Sequence, residues 1–170
     1  YGNYERDKLF ITQFMRSELR GYDLTHPFVA LVIRTRGAWP EKNMSSDFWC
    51  SIIERLTENN ISVFVFGKET KIHAIKNVQY IENYQDWCTI VQHINCKHIA
   101  STMTGGVYPA MIFGHSDINL TIIDNTHLMA KHGGDPSFYS DCVNFTSVKF
   151  NFIDYKPSIT EMYDRIRQDL

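Results

Sequence analysis

The 170-residue chain carries 17 basic and 19 acidic side chains, a formal net charge of −2, 44% hydrophobic residues and 14% aromatic residues. That is a globular composition sized for one domain, which excludes disorder, and the lack of excess positive charge argues against nucleic acid as the primary partner. The longest uninterrupted apolar run, Phe28 to Ile33, is far short of the roughly 18 residues of a membrane-spanning helix.

The chain opens on Tyr1 rather than Met and shows no charged-then-apolar secretory segment, so it reads as a domain cut from something longer, with the cytoplasm as default compartment. Phe10 with Phe14, and Ile11 with Met15, are i,i+4 pairs in a charged stretch that stops at Gly21, which predicts an amphipathic helix over residues 4–20. FVALVI then runs without alternation, as a strand covered on both faces does. Ser45 or Ser46 can cap a helix that places Phe48, Ile52 and Leu56 on one face before Asn59-Asn60 breaks it. ISVFVF (61–66) predicts a second buried strand and VQYI (78–81) a third, while Trp87, Ile90, Val91 and Ile94 mark another helix.

HIAS (98–101) predicts strand four, and the loop Thr102-Met103-Thr104-Gly105-Gly106 runs into a short helix over 107–113 whose Pro109 is tolerable in the first turn. INLTIID (118–124) predicts strand five, followed by a long polar loop from Asn125 to Asp141 of the kind that is functional or mobile. A sixth strand is expected at 147–153, and Ser158-Ile159-Thr160-Glu161 is a capping box for a last helix with Met162, Ile166 and Leu170 inward.

Cys50, Cys88, Cys96 and Cys142 are too scattered for a disulfide framework or a zinc site, and are expected to be reduced and mostly buried. The Asn-x-Ser/Thr triplets at Asn43, Asn60, Asn119 and Asn144 read as chance hits in an Asn-rich chain.

Strands alternating with helices make a βαβ series, and right-handed crossovers turn it into an α/β, Rossmann-like, doubly wound and mainly parallel sheet of five or six strands. Ligands in such sheets sit beyond the carboxyl ends of the strands. That selects residues 34–40, 67–70 and 102–106. The last loop opens a helix, so free backbone N–H groups converge where Gly105 and Gly106 allow close approach, and Thr102 and Thr104 can add hydroxyls. Arg34, Arg36 or Lys68 can supply the positive charge that a diphosphate demands, which points to a nucleotide or a phosphorylated sugar. Tight helix packing by the two glycines is the competing explanation.

Placement directly after an apolar strand favours Arg34 over Arg36. Trp39-Pro40 reads as packing against the next helix rather than as a stacking platform. His127 and His132, with Asp124 and Asp135, match no familiar zinc spacing, and no metal site is expected. His115 and Asp117 fall in a turn expected at the opposite edge of the sheet. No Walker lysine motif, dinucleotide fingerprint, nucleophile elbow or Ser/His/Asp order is present, so hydrolysis has no support.

The succession VIRTRG, WPEKNMSSDFW, ISVFVFGKE, CKHIASTMTGGVYPAMIFG and INLTIID resembles the C-terminal, nucleotide-sugar-binding half of a two-Rossmann-domain (GT-B) glycosyltransferase, closest in layout to the heptosyltransferase-like family, over about residues 25–125. That family cradles the donor diphosphate with Asp-Thr/Ser-Gly-Pro after a strand; here Thr104 and Gly105 carry the Thr-Gly element. The family's His just inside the helix is missing, with Tyr108 or Pro109 near its place. VIRTRG also resembles the His-x-Arg-Arg motif of fucosyltransferases, keeping the arginines without the histidine.

The resemblance implies transfer of a sugar from a nucleotide donor, with no cofactor and no required metal, because a helix dipole and basic side chains can stabilise the leaving diphosphate. It implies that residues 1–170 are one Rossmann-like domain of a larger enzyme, inactive alone, whose acceptor-binding N-terminal half lies on the same chain or a partner. The donor contacts it implies are Arg34, Arg36, Lys68, Thr102, Thr104, Gly105 and Gly106, and the catalytic residues stay unassigned. A non-catalytic Rossmann-like nucleotide-binding module or a protein-interaction module would give the same sheet.

Overall fold

The computed structural model describes residues 19–35, 37, 39–67, 75, 77–131, 146–168 and 170. Six strands, β1 (Phe28–Val32), β2 (Ser62–Phe66), β3 (Val78–Ile81), β4 (Cys96–Thr102), β5 (Asn119–Ile123) and β6 (Lys149–Ile153), form one sheet in the order β3-β2-β1-β4-β5-β6. Every neighbouring pair is parallel. The expected doubly wound α/β sheet is therefore present, in the strand order of a dinucleotide-binding fold.

Helices α1 (Ser46–Glu58), α2 (Tyr84–Ile90), α3 (Tyr108–Phe113), α4 (Thr126–Lys131) and α5 (Ile159–Arg167) complete the described elements. Alternation along β1 divides the core in two. Phe28, Ala30 and Val32 pack with Trp87 and Ile90 of α2 and with Ala110 and Phe113 of α3. Val29, Leu31 and Ile33 pack with Trp49, Ile52 and Leu56 of α1 and with Met162 and Ile166 of α5. Burial on both faces is why FVALVI has no polar positions.

Three helices start at side-chain caps, each worth about 1 kcal/mol. Ser45 Oγ accepts from Phe48 N at 3.1 Å, Asn83 Oδ1 from Asp86 N at 2.8 Å, and Ser158 Oγ from Glu161 N at 3.1 Å. The last of these is the N-terminal bond of the expected capping box.

Several elements depart from the sequence reading: α2 ends at Ile90 and leaves Ile94 exposed, and Leu170, expected inward, is exposed as well. β4 begins at Cys96, two residues early, because Cys96 pairs with Phe28 at the start of β1, ahead of a register shift that pairs Val29 with His98. The helix after Thr104 opens with a 3₁₀ turn, Gly105–Val107, before α3. The start of the expected 125–141 loop is instead α4, introduced by Asp124, whose Oδ1 accepts from Thr126 N at 2.8 Å. The predicted 4–20 helix lies almost wholly outside the described residues, as do residues 132–145.

Cys50, Cys88 and Cys96 are free thiols. Burial pushes the Cys88 thiol up to about 11 and Cys96 higher still, so neither is a ready nucleophile. His115 sits in the turn before β5, at the amino end of the sheet, where its Nε2 bonds the His93 carbonyl at 3.1 Å.

β2 leaves the sheet through Gly67, whose φ is 156°. A Cβ there would lie 2.4 Å from the Ile33 carbonyl oxygen. Gly67→Ala should lower unfolding free energy by about 1–3 kcal/mol, read from urea denaturation; an unchanged midpoint would show that the β1 and β2 exits can separate.

Candidate functional site

The chain runs outward from β1 through β2 to β3, then returns to the far side of β1 as β4, so the strand order reverses between β1 and β4. Beyond that point the crevice of an open α/β sheet forms. Val32 pairs with Phe66 on one side and with Ser101 on the other, so three loops emerge nearly level. Ser101 Oγ donates to the Val32 carbonyl at 2.7 Å, fixing β1 against β4 where both end. Arg34 and the Thr102–Gly106 turn are thereby brought to one edge. Arg36 and Lys68 lie outside the described residues.

The two glycines have different environments. A Cβ on Gly106 would lie 2.7 Å from Val32 Cγ1, and the Gly106 carbonyl accepts from Trp87 Nε1 at 2.7 Å. Gly106 therefore lets the turn lie against the sheet. A Cβ on Gly105 would meet only the Tyr108 ring, at an ordinary 3.7 Å, which leaves this side of the turn accessible. Thr104 is extended and half-buried, and its hydroxyl makes no capping bond. Thr102 is buried, and its Oγ1 has no hydrogen-bond partner among the described residues.

Arg34 ties the opposite loop back on itself: its Nη1 donates to the Trp39 carbonyl at 3.0 Å and to Asn43 Oδ1. This bond shapes a strap, residues 39–45, that includes a 3₁₀ turn at Pro40–Lys42. Trp39 corrects the sequence reading: its φ of 55° turns the ring outward, 43% exposed, instead of packing it on the next helix. The Lys42 ammonium sits 4.2 Å from the centre of that ring. Lys42 is itself only 4% exposed. Burial pushes its pKa below the ordinary 10.5, the like charge of Arg34 adds to the push, and Glu41 pulls partly back.

The strap reaches across the sheet. Tyr155, just after β6, donates its Oη–H to the Glu41 carbonyl at 2.7 Å, and its ring meets His127 edge-on at 4.8 Å. On the glycine side, Phe66 stacks on Trp87 at 5.4 Å and approaches Tyr84 at 6.2 Å. Tyr84 and Tyr108 are exposed there, and burial, then Cys88 and Tyr108, push the Tyr84 phenol up.

No family model matches the chain, and no curated protein matches it significantly. Solved structures do match in fold. E. coli heptosyltransferase WaaC, solved with ADP, superimposes with a TM-score of 0.57 at 10% identity, over 89% of this chain and 47% of that one. A family 9 glycosyl transferase from Veillonella parvula DSM 2008 gives 0.53 at 9% identity, over 97% and 42%. KpsC of Thermosulfurimonas dismutans, a beta Kdo 2,4 transferase, gives 0.50 at 12% identity, over 71% and 43%. The chain shares their fold. It spans less than half the length of each of these glycosyltransferases.

Among the described residues no helix is long and apolar enough to cross a membrane, and no three His, Cys, Asp or Glu side chains gather as metal ligands. Lys42 and Asn125 are the polar residues at this edge that the sequence did not single out. A lone lysine after Pro-Glu, and an asparagine opening a polar stretch, carry no periodic or spacing signal. Only the strap and the strand order bury them.

Two outcomes follow for stability. Gly106→Ala should destabilise by about 1–3 kcal/mol through overpacking on Val32, and Gly105→Ala should stay within about 0.5 kcal/mol, both read by urea denaturation. Equal losses would refute the division between the two glycines. Lys42→Met should raise the urea midpoint at neutral pH, because it removes a charge on which desolvation and the like charge of Arg34 outweigh the pull of Glu41. The folded state holds the Lys42 proton less tightly than the unfolded chain does. Stability therefore rises with pH between the lowered folded value and the ordinary one, and the advantage of Met should shrink as pH approaches 10.5.

Proposed function

We propose that this chain is the donor-binding domain of a nucleotide-sugar-dependent glycosyltransferase. The observation that supports the reading is that the Arg34 loop and the Thr104–Gly106 turn leave neighbouring strands at the β1/β4 reversal, on a fold shared with three glycosyltransferase structures. The donor diphosphate would lie along the accessible face of Gly105, with backbone N–H groups of the turn and the Thr104 hydroxyl as donors and the Arg34 guanidinium as the charge. Arg36 and Lys68 follow the same two strand exits and join the proposed contact set, with Thr102 at the end of β4.

The chemistry is charge management. As an acceptor oxygen attacks the anomeric carbon, the bond from that carbon to the phosphate oxygen breaks and negative charge collects on the departing diphosphate. Donors already aimed at that charge lower the barrier without reorganising, which is why neither a cofactor nor a metal is required. Tyr84 and Tyr108, exposed beside Gly105, offer ring faces to the rest of the nucleotide. The acceptor and the base that takes its proton belong to a second, N-terminal domain, so this domain alone binds donor without transferring sugar. Its site is aqueous and its compartment cytoplasmic in this reading.

Calorimetric titration with UDP, GDP, ADP and CMP tests the proposal. One nucleotide should bind selectively, and Arg34→Ala should cost about 1.5–3 kcal/mol, or roughly 10- to 150-fold, as a charge-assisted contact does. Folded protein that binds none of the four would overturn it in favour of a non-catalytic module.

A further inference from the structure

Trp39 stands where neither backbone preference nor burial accounts for a tryptophan. Its φ of 55° and ψ of 62° are left-handed, a region that bulky side chains avoid. Pro40 follows it, and the residue before a proline is ordinarily extended. The other non-glycine residues with positive φ among the described residues are Asn60, Asn77 and Lys156, and asparagine, which tolerates this region, would relieve the strain at position 39 too. The Trp39 ring is 43% exposed, whereas Trp49 and Trp87 are fully buried.

The strap nonetheless holds this conformation in place. The Trp39 carbonyl accepts from Arg34 Nη1 at 3.0 Å and from Lys42 N at 3.1 Å, the Pro40 carbonyl from Asn43 N at 2.9 Å, and the Glu41 carbonyl from Tyr155 Oη at 2.7 Å. Consecutive carbonyls of the strap are thus fixed, and Lys42 Nζ braces the ring 4.2 Å from its centre. A strained backbone that several bonds over-determine, carrying an apolar ring partly left in water, is the pattern of a preorganised ligand contact rather than of a core residue. Arg34 fixes its place: it follows the end of β1 by two residues, at the strand-order reversal, and lies one hydrogen bond from the Trp39 backbone.

A flat indole matches a flat apolar surface. A nucleotide sugar has two: the base, and the face of the pyranose ring that presents C–H bonds. Tyr84 and Tyr108 begin α2 and α3, which pack on the Phe28 side of the sheet, while the loop of Trp39 runs into α1 on the Val29 side. A donor whose diphosphate lies at the reversal, with its base beside the two tyrosines, leaves its sugar to the Arg34 loop. We propose that Trp39 is the stacking platform for the pyranose ring of the donor, an inference that rests on the donor-binding reading above. The C–H face of the sugar lies on the indole, and the strap holds the ring ready, so little freedom is lost when the sugar arrives.

The test titrates the chain with UDP, GDP and ADP, and with UDP-glucose, GDP-mannose and ADP-glucose, read by calorimetry and by the indole N–H signals in NMR spectra. The Trp39 signal is the one lost in both Trp39→Asn and Trp39→Tyr. A sugar nucleotide should shift that signal, and the matching nucleoside diphosphate should leave it in place. Trp39→Asn, whose side chain suits the left-handed backbone, should weaken the sugar nucleotide about fivefold, and Trp39→Tyr, which keeps a ring face, about twofold or less. Both variants should leave nucleoside diphosphate affinity within about twofold. If Trp39→Asn fails to fold, the signal shift in the unaltered chain and the Trp39→Tyr affinities decide. Equal weakening of both ligands would make the ring a base platform, and an unmoved Trp39 signal with unchanged affinities would make it structural. Either result overturns the proposal and leaves the donor reading standing. Binding of no nucleoside diphosphate and no sugar nucleotide would sink the donor reading and this inference with it.

Discussion

The carboxyl edge of this protein depends on one constraint: β1 is both the first described strand and the middle of the sheet. Its two neighbours, β2 and β4, come from different parts of the sequence; β2 matches its register residue for residue, and β4 does so from Val29 onward, after a register shift at Phe28. Because all three end together, the loops that follow them have no room to spread along the sheet. They leave toward opposite faces. The Arg34 loop turns over the α1 side and the glycine turn over the α2 and α3 side, with the Ser101 to Val32 bond as the hinge between them. The Arg34 loop and the glycine turn flank the β1/β4 reversal as a result.

Much of this was legible in the sequence. The unbroken apolar runs of β1 and β2 announced a sheet covered on both faces, and the caps at Ser45 and Ser158 were readable from residue type and spacing. The three exit loops followed from the fold rule alone. What escaped the sequence was the origin of burial in non-local pairing. Cys96 joins β4 ahead of the predicted HIAS because it pairs with Phe28, and Asp124 starts a helix inside a stretch that looked uniformly polar. Trp39 shows the other limit, since an aromatic after a strand normally packs inward. Here a left-handed backbone turns it out to meet a lysine.

The same edge separates groups that serve stability from groups that oppose it. Gly106, Trp87 and Ser101 are satisfied and tightly packed, and they make the scaffold. Thr102 and Asn125 are buried, and among the described residues their side chains meet no hydrogen-bond partner. Functional sites characteristically concentrate such local conflicts, because a group already satisfied within the fold has nothing left to offer a ligand.

The Tyr155 to Glu41 bond joins residues 114 apart in sequence. Closing so long a loop yields nothing until every strand between them is in place, so the contact belongs to the last stage of assembly. Up to that stage the partly built sheet holds its crevice open at the β6 edge. A chain emerging in order from the ribosome presents Tyr155 after all six strands but before α5, whose Met162 and Ile166 fill the α1 side of the core. The strap is therefore fastened in the same late step that closes that side of the sheet.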